Sequence, residues 1–409
     1  MRYNLTSFVI RAIEFYYLIH LLMKQLLTLI LILTFFSGVA QHTLPVVHAT
    51  SNQAKIYEQD NPPSNWTINP KIKTDVHTNG KQTGAKTVSF KTDIDSISFK
   101  IGPGQQKDFI VVLNGKDSCL TRIQCPQLKD LSKLPVAFHD TIPFFINKFN
   151  TNYLSVVFNN ADTVLLNFDT GATEVSFTND ALKNKVKSHF ALYDTPYNIR
   201  VGQRTLQSKI YDIQLAGNEV DGLLGWDMFD GMIVELDYDR NQMILHSKMP
   251  GSIANDRTYS KFKIRYIKNK PFIESEIIQS GVKSKGWFLF DLGYQKTVML
   301  DNDLLRAAGF PADKMAVIKK VMMRGTRGNE VPVNTANLET LKLGGIVLKD
   351  IPAQVMEQNK PMRGINIHIL GSEVLKKFNT VLDFQKHTIY LKPNHFYNNA
   401  YTDGKKNRG

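Results

Sequence analysis

The sequence predicts a mainly β protein whose central part consists of two related halves. Between about residues 135 and 395, short apolar stretches alternate with turns rich in Gly, Asn and Asp, and convincing helices are few. One pattern of five short motifs occurs twice in this region, in the same order. The step from the glycine of the third motif to the aspartate of the fourth is 12 residues in both copies. Self-similarity of this kind indicates one structural unit present twice.

Each copy of the pattern begins with an aspartate in a Phe-Asp-X-Gly turn. The motifs of the first copy lie at 165–173, which contains Asp169, and at 199–202, 221–225, 236–238 and 243–245. Those of the second copy lie at 288–293, which contains Asp291, and at 341–344, 369–371, 382–384 and 389–391. An apolar strand delivers each aspartate to the interior, and the glycine lets the chain turn sharply after it. Two such turns placed back to back would hold two carboxyl groups around one water molecule.

The second half is longer than the first by 24 residues, and 20 of them follow the aspartate turn. This insertion has apolar residues at 318–323 and 330–333 on either side of a polar centre that contains Gly325 and Gly328. The pattern predicts a β-hairpin with a mobile tip.

Two adjacent carboxyl groups favour one class of reaction. Like charges at hydrogen-bonding distance cannot both ionise readily, so the pair shares one proton over a wide acidic range. The ionised member can take a proton from water while the protonated member polarises a peptide carbonyl. This chemistry requires no metal ion and no organic cofactor, and we expect neither. The ten histidines show no metal-binding spacing and the chain has no Gly-X-Ser-X-Gly motif, which disfavours metallopeptidases and serine hydrolases.

On these motifs the chain resembles the pepsin-like and retropepsin-like aspartic peptidases, and most of all the bacterial exported proteins with two fused retropepsin-like halves. The matching segments are Asp169-Thr170-Gly171-Ala172, Leu223-Leu224-Gly225, Asp291-Leu292-Gly293 and Ile369-Leu370-Gly371. The resemblance implies a bilobal double β-barrel of the aspartic-peptidase type. It also implies an aspartic endopeptidase that acts on peptides or unfolded proteins, with Asp169 and Asp291 as its catalytic pair.

The resemblance further implies roles for the residues around this pair. Thr170 is expected to tie the two turns together by a hydrogen bond from one to the other. The remaining support for the turns is expected from Gly171, Ala172, Gly293, Leu224, Gly225, Leu370 and Gly371. The hairpin around Gly325 and Gly328 is the candidate flap, which would close over the substrate.

The second turn departs from the family pattern at two positions. Leu292 stands where the family has Thr or Ser, and Tyr294 stands where a small residue is usual. A leucine cannot make the hydrogen bond between the turns, a loss of about 1 kcal/mol, and a tyrosine is bulky beside a site for water and substrate. Two interpretations therefore stay open. One is an active endopeptidase, and the other is a degenerate pseudo-peptidase that binds peptides or cell-envelope components in the same cleft.

The N-terminal region predicts export. Met23 and Lys24 precede an apolar run over 26–36 and then the small residues 37–40, which is typical of a signal peptide cleaved after Ala40. We predict a signal peptide over 1–40, with Met23 as an alternative start, and a periplasmic or secreted protein. The alternative is an uncleaved segment that tethers the protein to the membrane.

The composition and motifs of the rest of the chain predict its division into four segments. Residues 41–134 are expected to form a polar linker, to about residue 85, and then a small antiparallel β unit. The first lobe is predicted over 135–258, the second over 259–395 and a tail over 396–409. Cys119 and Cys125 fit no metal motif but permit a disulfide in an oxidising compartment.

The net charge of +13 invites comparison with nucleic-acid-binding proteins. However, the Lys and Arg residues are interspersed with Asp and Glu, and they form no basic helix and no zinc-finger spacing. We therefore expect a peptide or unfolded-protein partner, no nucleic acid, and a monomer.

Overall fold

The computed structural model describes residues 20–26, 43–325, 328, 330–356 and 364–404. These residues form a mainly β protein, which confirms the predicted fold class. The predicted signal peptide lies outside the described residues except for 20–26, which are helical. No helix in the described part of the chain is both long and apolar enough to cross a membrane.

Residues 43–125 form an N-terminal β unit of two four-stranded sheets. The first sheet contains, in spatial order, β1 (Val46–Ala49), β7 (Gln106–Leu113), β8 (Asp117–Gln124) and β4 (Asp75–Thr78). The second contains β3 (Ser64–Thr67), β2 (Gln53–Glu58), β5 (Lys86–Lys91) and β6 (Ser96–Ile101). The sheets enclose a core of their own, which includes Ile56, Phe90 and Phe109. Cys119 and Cys125 are both buried in it as free thiols, so they form no disulfide.

The prediction of a polar linker up to residue 85 is wrong, because this stretch supplies four strands of the N-terminal unit. The reason lies in the two-residue period of a strand, which lets a polar segment bury one face. Val47 and Ala49 on β1, and Ala54 and Ile56 on β2, are buried while their neighbours are exposed.

Each half of the central region forms an eight-stranded sheet. The strands of the first sheet are β10 (Phe145–Ile146), β11 (Asn152–Phe158), β12 (Asp162–Asp169), β13 (Val175–Thr178), β14 (Tyr197–Val201), β15 (Arg204–Ser208), β16 (Ile210–Ile213) and β17 (Gly222–Gly225). Those of the second are β21 (Arg265–Ile267), β22 (Lys270–Gln279), β23 (Val282–Asp291), β24 (Val298–Asp301), β25 (Ala316–Arg324), β26 (Glu330–Leu343), β27 (Ile346–Met356) and β28 (His368–Gly371).

The two sheets repeat one register, as the duplicated motifs predict. In the first, β12 runs parallel to β17 with Asp169 opposite Gly225. In the second, β23 runs parallel to β28 with Asp291 opposite Gly371. Each aspartate is therefore the last residue of a strand that is hydrogen-bonded to the apolar-apolar-Gly segment of its own half.

A six-stranded sheet joins the halves. It contains, in spatial order, β20 (Ser260–Lys263), β30 (Thr388–Pro393), β29 (Phe378–Asp383), β18 (Ile233–Asp237), β19 (Gln242–His246) and β9 (His139–Pro143). The connection between the halves is the antiparallel pair of β18 and β29, with Ile233 opposite Asp383. One continuous apolar core runs through both halves, from Ile142 to Leu391.

Within residues 43–404 the helices of the described chain are short and lie at strand ends. They are α1 (Asn179–Asn184), α2 (Gly251–Ala254), α3 (Asn302–Ala307) and α4 (Ser372–Leu375), with single turns of 3-10 helix at Leu131–Lys133, Trp226–Phe229 and Ala312–Lys314. In each half one helical turn directly follows the apolar-apolar-Gly strand, at Trp226 in the first half and at Ser372 in the second.

The predicted C-terminal tail is wrong up to Gly404, because residues 396–404 pack against the second half. The buried ammonium group of Lys377 donates hydrogen bonds to the carbonyl oxygens of Tyr397, at 2.9 Å, and Phe396, at 3.3 Å. Asp403 pairs with Lys296 and Lys319 at 3.1 and 2.6 Å. A buried cation needs acceptors, and this segment supplies them.

Candidate active site

The structure brings the two predicted catalytic aspartates together. Asp169 ends β12 and Asp291 ends β23, and their carboxyl groups share a hydrogen bond. Only 8% of the Asp169 surface is exposed, and Asp291 is also largely covered. The strands that lead to them are apolar and buried, with Phe168 and Phe290 in the common core. Two remote segments of sequence thus meet at one pair of acids.

Each carboxylate is fixed by the backbone of its own turn. Asp169 Oδ1 accepts hydrogen bonds from the amides of Gly171 and Ala172, at 2.7 and 3.1 Å. Asp291 Oδ1 accepts from the amides of Gly293 and Tyr294, at 2.9 and 3.0 Å. One oxygen of each acid is thereby held in place, and the same geometry occurs in both halves.

The glycine of each turn makes room for the acid of the other. A Cβ on Gly171 would lie 2.6 Å from Asp291 Oδ2, and one on Gly293 would lie 2.2 Å from Asp169 Cγ. Both distances are far below a van der Waals contact. No side chain larger than hydrogen fits at either position while the carboxyl groups stay together.

Thr170 ties the turns together as expected. Its Oγ1 donates a 2.5 Å hydrogen bond to the carbonyl oxygen of Phe290 and accepts a 3.0 Å hydrogen bond from the amide of Leu292. The Leu292 side chain is fully buried in the common core, and only the backbone of this residue takes part in the tie. The Leu292 carbonyl oxygen accepts from Asn152 Nδ2 at 3.2 Å, which adds a second link between the halves.

The apolar-apolar-Gly segments support the turns by backbone hydrogen bonds. In the first half the amide of Gly225 donates to the carbonyl of Glu174, at 3.0 Å, and that of Trp226 to Ala172, at 3.1 Å. In the second half the amide of Gly371 donates to Thr297, at 2.7 Å, and that of Ser372 to Tyr294, at 2.6 Å. Leu224 and Leu370 are both fully buried beneath the turns.

Tyr294 lies behind the second turn. Its ring is next to Gly371, and its hydroxyl group donates a hydrogen bond to Gln354 on β27. Neither Tyr294 nor Gln354 is among the described residues that line the cavity at Asp169. The bulky side chain at this position therefore does not occupy the cavity at Asp169.

The electrostatic environment favours one shared proton. Burial raises the pKa of both carboxyl groups, and the negative charge of Asp169 raises the pKa of Asp291 further, well above its usual range. The ammonium group of Lys270 acts in the opposite direction and lowers the pKa of both acids. The pair therefore shares one proton over a wide pH range, and the two carboxyl groups titrate together.

A cavity of about 710 Å³ opens at Asp169. Its walls come from the first turn, α1, the end of β16 and β22, and the lining residues are Asp169, Gly171, Ala172, Thr173, Glu174, Ser176, Asn179, Tyr193, Asp212, Ile213, Gln214, Leu223 and Lys270. A cavity of this size holds several side chains of an extended peptide.

Lys270 is the charged neighbour of the acid pair that the sequence did not predict. Its ammonium group donates a hydrogen bond to the carbonyl oxygen of Gly171, inside the first aspartate turn. The β22–β23 hairpin has Gln279 opposite Val282, and its register, continued to the strand ends, places Lys270 opposite Asp291. Counting residues outward from the Ser280-Gly281 turn is the signal that could have revealed it.

The predicted hairpin is present and reaches the first half. It consists of β25 and the beginning of β26, with Val321 opposite Val333. Residues 326, 327 and 329 of its tip lie outside the described residues. A Cβ on Gly328 would lie 3.1 Å from the side chain of Gln214, which lines the cavity. The hairpin of the second half therefore meets the wall of the cavity built by the first.

In the described part of the chain, no three His, Cys, Asp or Glu side chains group together as metal ligands do.

Fold and site together define an aspartic-peptidase-like protein. Residues 278–374, which include the second aspartate turn, match the family model described as Aspartyl protease, and this match confirms the resemblance seen in the motifs. Among solved structures the chain is similar to an aspartic proteinase from Irpex lacteus. The identity is 14%, the alignment covers 64% of this chain and 99% of that one, and the TM-score is 0.44. No curated protein matches the chain.

Proposed function

We propose that the protein is an exported aspartic endopeptidase that hydrolyses peptide bonds with a water molecule held between Asp169 and Asp291. The observation that carries this proposal is the hydrogen-bonded pair of buried carboxyl groups at the ends of two equivalent strands, beside an open cavity. Paired acids whose environments separate their pKa values are the arrangement that acid–base hydrolysis requires.

The reaction needs one ionised and one protonated acid, and we assign these roles to Asp169 and Asp291 respectively. Asp169, the ionised acid, takes a proton from water while the water oxygen forms a bond to the peptide carbonyl carbon. Asp291, the protonated acid, gives its proton to the carbonyl oxygen, so the intermediate is a neutral gem-diol. One hydroxyl group of the gem-diol then returns its proton to Asp291, and Asp169 gives its proton to the nitrogen. The C–N bond breaks, and the singly protonated pair is restored.

The shape of the site supports an extended substrate. Thr173, Ser176 and Gln214 line the cavity together with Asp169, and the hairpin approaches this lining at Gln214. A folded domain would not reach acids that are so deeply covered. We therefore propose unfolded proteins or peptides as substrates, with the hairpin as the flap that covers them.

Leu292 favours a second candidate, the pseudo-peptidase that binds peptides or envelope components without cleaving them. The side-chain hydroxyl expected in the second turn is missing, so only the first turn contributes a hydroxyl group, that of Thr170, to the tie. The same cleft would then act as a binding site.

The export part of the proposal rests on the pattern in residues 1–40. N-terminal sequencing of the protein recovered outside the cytoplasm tests it, since a mature chain that begins at residue 41 is expected. An intact N-terminus on membrane-bound protein would favour the tether instead.

The decisive experiment compares the mature protein with Asp169→Asn and Asp291→Asn in the cleavage of denatured casein between pH 3 and pH 7. Each change removes one acid of the pair, so we expect a loss of about 1000-fold or more. Asp313→Asn, an exposed aspartate in a 3-10 turn, is the matched control and should cleave normally. Peptide binding by a folded wild-type protein that shows no cleavage at any pH would establish the pseudo-peptidase instead.

A further inference from the structure

Lys270 places a positive charge at the acid pair that the paired-acid mechanism does not by itself require. The residue starts β22, is half-buried, and lines the cavity together with Asp169. Its ammonium group donates to the Gly171 carbonyl, one residue from the Thr170 tie. In the first half the equivalent register position, opposite Asp169, is held by Thr151, a neutral residue that accepts a hydrogen bond from Gln295 at 2.5 Å. The charge is therefore confined to one half of the repeat.

The turn before Lys270 is held by hydrogen bonds to the N-terminal β unit. Lys268 and Asn269 form the two-residue connection of the β21–β22 hairpin, and both adopt positive φ angles, 47° and 59°. The Lys268 amide donates to Asn61 Oδ1 at 2.9 Å, and Asn269 Oδ1 accepts from the Lys81 amide at 2.6 Å. Two loops of the N-terminal unit thus hold the turn from which Lys270 projects.

The same turn is also fixed from the first half. The indole nitrogen of Trp226 donates to the Asn269 carbonyl oxygen at 2.9 Å. The ammonium group of Lys81 pairs with Asp230 and lies 5.0 Å above the ring of Trp226 and 5.1 Å above that of Tyr266. A tight turn with hydrogen bonds on several sides has little freedom to move. The position of Lys270 is consequently set by contacts outside its own sheet.

We propose that Lys270 is a positioning residue of the active site, which sets the proton equilibrium of the Asp169–Asp291 pair, and that the N-terminal β unit holds it there. The proposal deepens the proposed peptidase function and rests on it for its biological meaning. It gives the N-terminal unit, which the aspartic-peptidase motifs do not cover, a physical role in the site.

The sign of the effect follows from the charges around the pair. Among the described residues these are Asp169, Asp291 and Lys270, with the Tyr294 hydroxyl behind the second turn and the Glu174 and Asp212 carboxyl groups farther along the cavity. A nearby ammonium favours ionised carboxyl groups and lowers the pKa of both acids. Loss of Lys270 should therefore raise both pKa values and move the singly protonated form of the pair to higher pH.

The test is a carboxyl carbon-13 NMR titration of the mature protein, with the two signals assigned by their loss in Asp169→Asn and Asp291→Asn. In Lys270→Met we expect the titration midpoints of the pair to rise by about one pH unit. Lys270→Arg, which keeps the charge, should restore most of the wild-type values. Lys268→Met is the matched control, because it removes an exposed lysine from the same turn, and it should leave the midpoints unchanged.

Asn61→Ala tests the part assigned to the N-terminal unit, since it removes the acceptor for the Lys268 amide. We expect a smaller rise of the same sign, and unchanged midpoints in this variant would overturn that part. Unchanged midpoints in Lys270→Met would overturn the role of Lys270.

The titration does not require turnover, so its result is separate from the peptidase proposal. Shifted midpoints in a protein that never cleaves casein would uphold the inference and refute the proposed function. If the protein is active, both limbs of its pH–rate profile should move to higher pH in Lys270→Met, by the same amount as the titration midpoints.

Discussion

The two aspartate turns share a backbone but differ in the side chains that stabilise them. Both fix one carboxylate oxygen with two amides of the turn, and both rest on an apolar-apolar-Gly strand in the same register. The first turn contributes the Thr170 hydroxyl, which bonds to the second turn twice. The second contributes Leu292, which is buried in the common core. A duplicated site can therefore keep its geometry while its halves specialise.

The difference shows that one hydroxyl group is enough to connect two turns when a buried apolar side chain anchors the other. The second half has in turn acquired the hairpin and Lys270, which the first half lacks. The hairpin and Lys270 thus belong to the second half of the repeat, whereas the hydroxyl group that links the turns belongs to the first.

The back-to-back geometry of the two turns is tested by replacing one turn glycine with alanine, which adds one carbon atom. Gly293→Ala would push a methyl group against Asp169 Cγ, where the available distance is 2.2 Å, and we expect casein cleavage to fall by about 100-fold or more because the acids are displaced. Gly171→Ala should behave alike. Gly345→Ala, which has no neighbouring atom within 4 Å, is the control and should retain activity. Normal cleavage by both turn variants would contradict the back-to-back geometry.

The polar link itself is tested by Thr170→Val. This change leaves the Phe290 carbonyl and the Leu292 amide buried without a partner, and we expect the free energy of unfolding to fall by about 2–3 kcal/mol. Chemical denaturation measures it. Thr173→Val, in the same turn but away from the tie, should cost far less. A loss no larger than that of the control would show that Thr170 does not hold the halves together.

The specialisation of the second turn is tested by Leu292→Thr. The new hydroxyl group would gain a bond worth about 1 kcal/mol, while the lost apolar burial costs about 2 kcal/mol, so a net loss of about 1 kcal/mol is expected. The same denaturation experiment decides it. If the variant is more stable than the wild type, Leu292 is a defect and not an anchor.

The charge asymmetry between the acids is tested by the stability of Asp291→Asn as a function of pH. A carboxyl group whose pKa is raised by folding contributes stability below its unfolded pKa and loses that contribution as pH rises through its folded pKa. At neutral pH the wild type has therefore lost the stability that protonated Asp291 contributes at low pH, whereas the variant has no such group and loses nothing. We expect the variant to have a Tm higher by a few degrees at pH 7 and by almost nothing near pH 3. Equal differences at both pH values would show that Asp291 does not titrate as described.

The asymmetry of the hairpin is tested by Gln214→Ala. Gln214 is the residue of the first half that the hairpin reaches, and the loss of this contact should raise KM for casein by a few-fold with little change in kcat. Gln207→Ala, on β15, is a control outside the cavity lining. If the KM does not change, the hairpin does not act as a flap at this point.

The sequence was sufficient to predict the repeat, both aspartates of the pair and most of the residues that support their turns. The Phe-Asp-X-Gly turns, the apolar-apolar-Gly segments and the Thr170 tie depend on local residue types, and these can be recognised without knowing which strands pair. The hairpin could be predicted for the same reason, because apolar strands flank a glycine-rich centre.

The features that the sequence did not reveal depend on long-range pairing. Lys270 looks like one basic residue among many until the register of β22 and β23 sets it opposite Asp291. The strands β1 to β4 are short and lie in a segment that is polar as a whole, and they become recognisable only through partners up to 64 residues away, as between Val46 and Ile110. The C-terminal segment looks like a short polar tail, and its order derives from the acceptors it offers to the buried Lys377 and from aromatic side chains such as Tyr401 that pack against the common core.

The six-stranded sheet has a consequence for the evolution and dissection of the chain. The strand β18 of the first half is hydrogen-bonded to β29 of the second. In either half alone, the backbone N–H and C=O groups on this edge of the strand would lack partners. A chain cut between His246 and Ser260 should yield fragments that are insoluble apart and recover a folded complex when mixed. The covalent connection then serves mainly to raise the effective concentration of two pieces that already recognise each other.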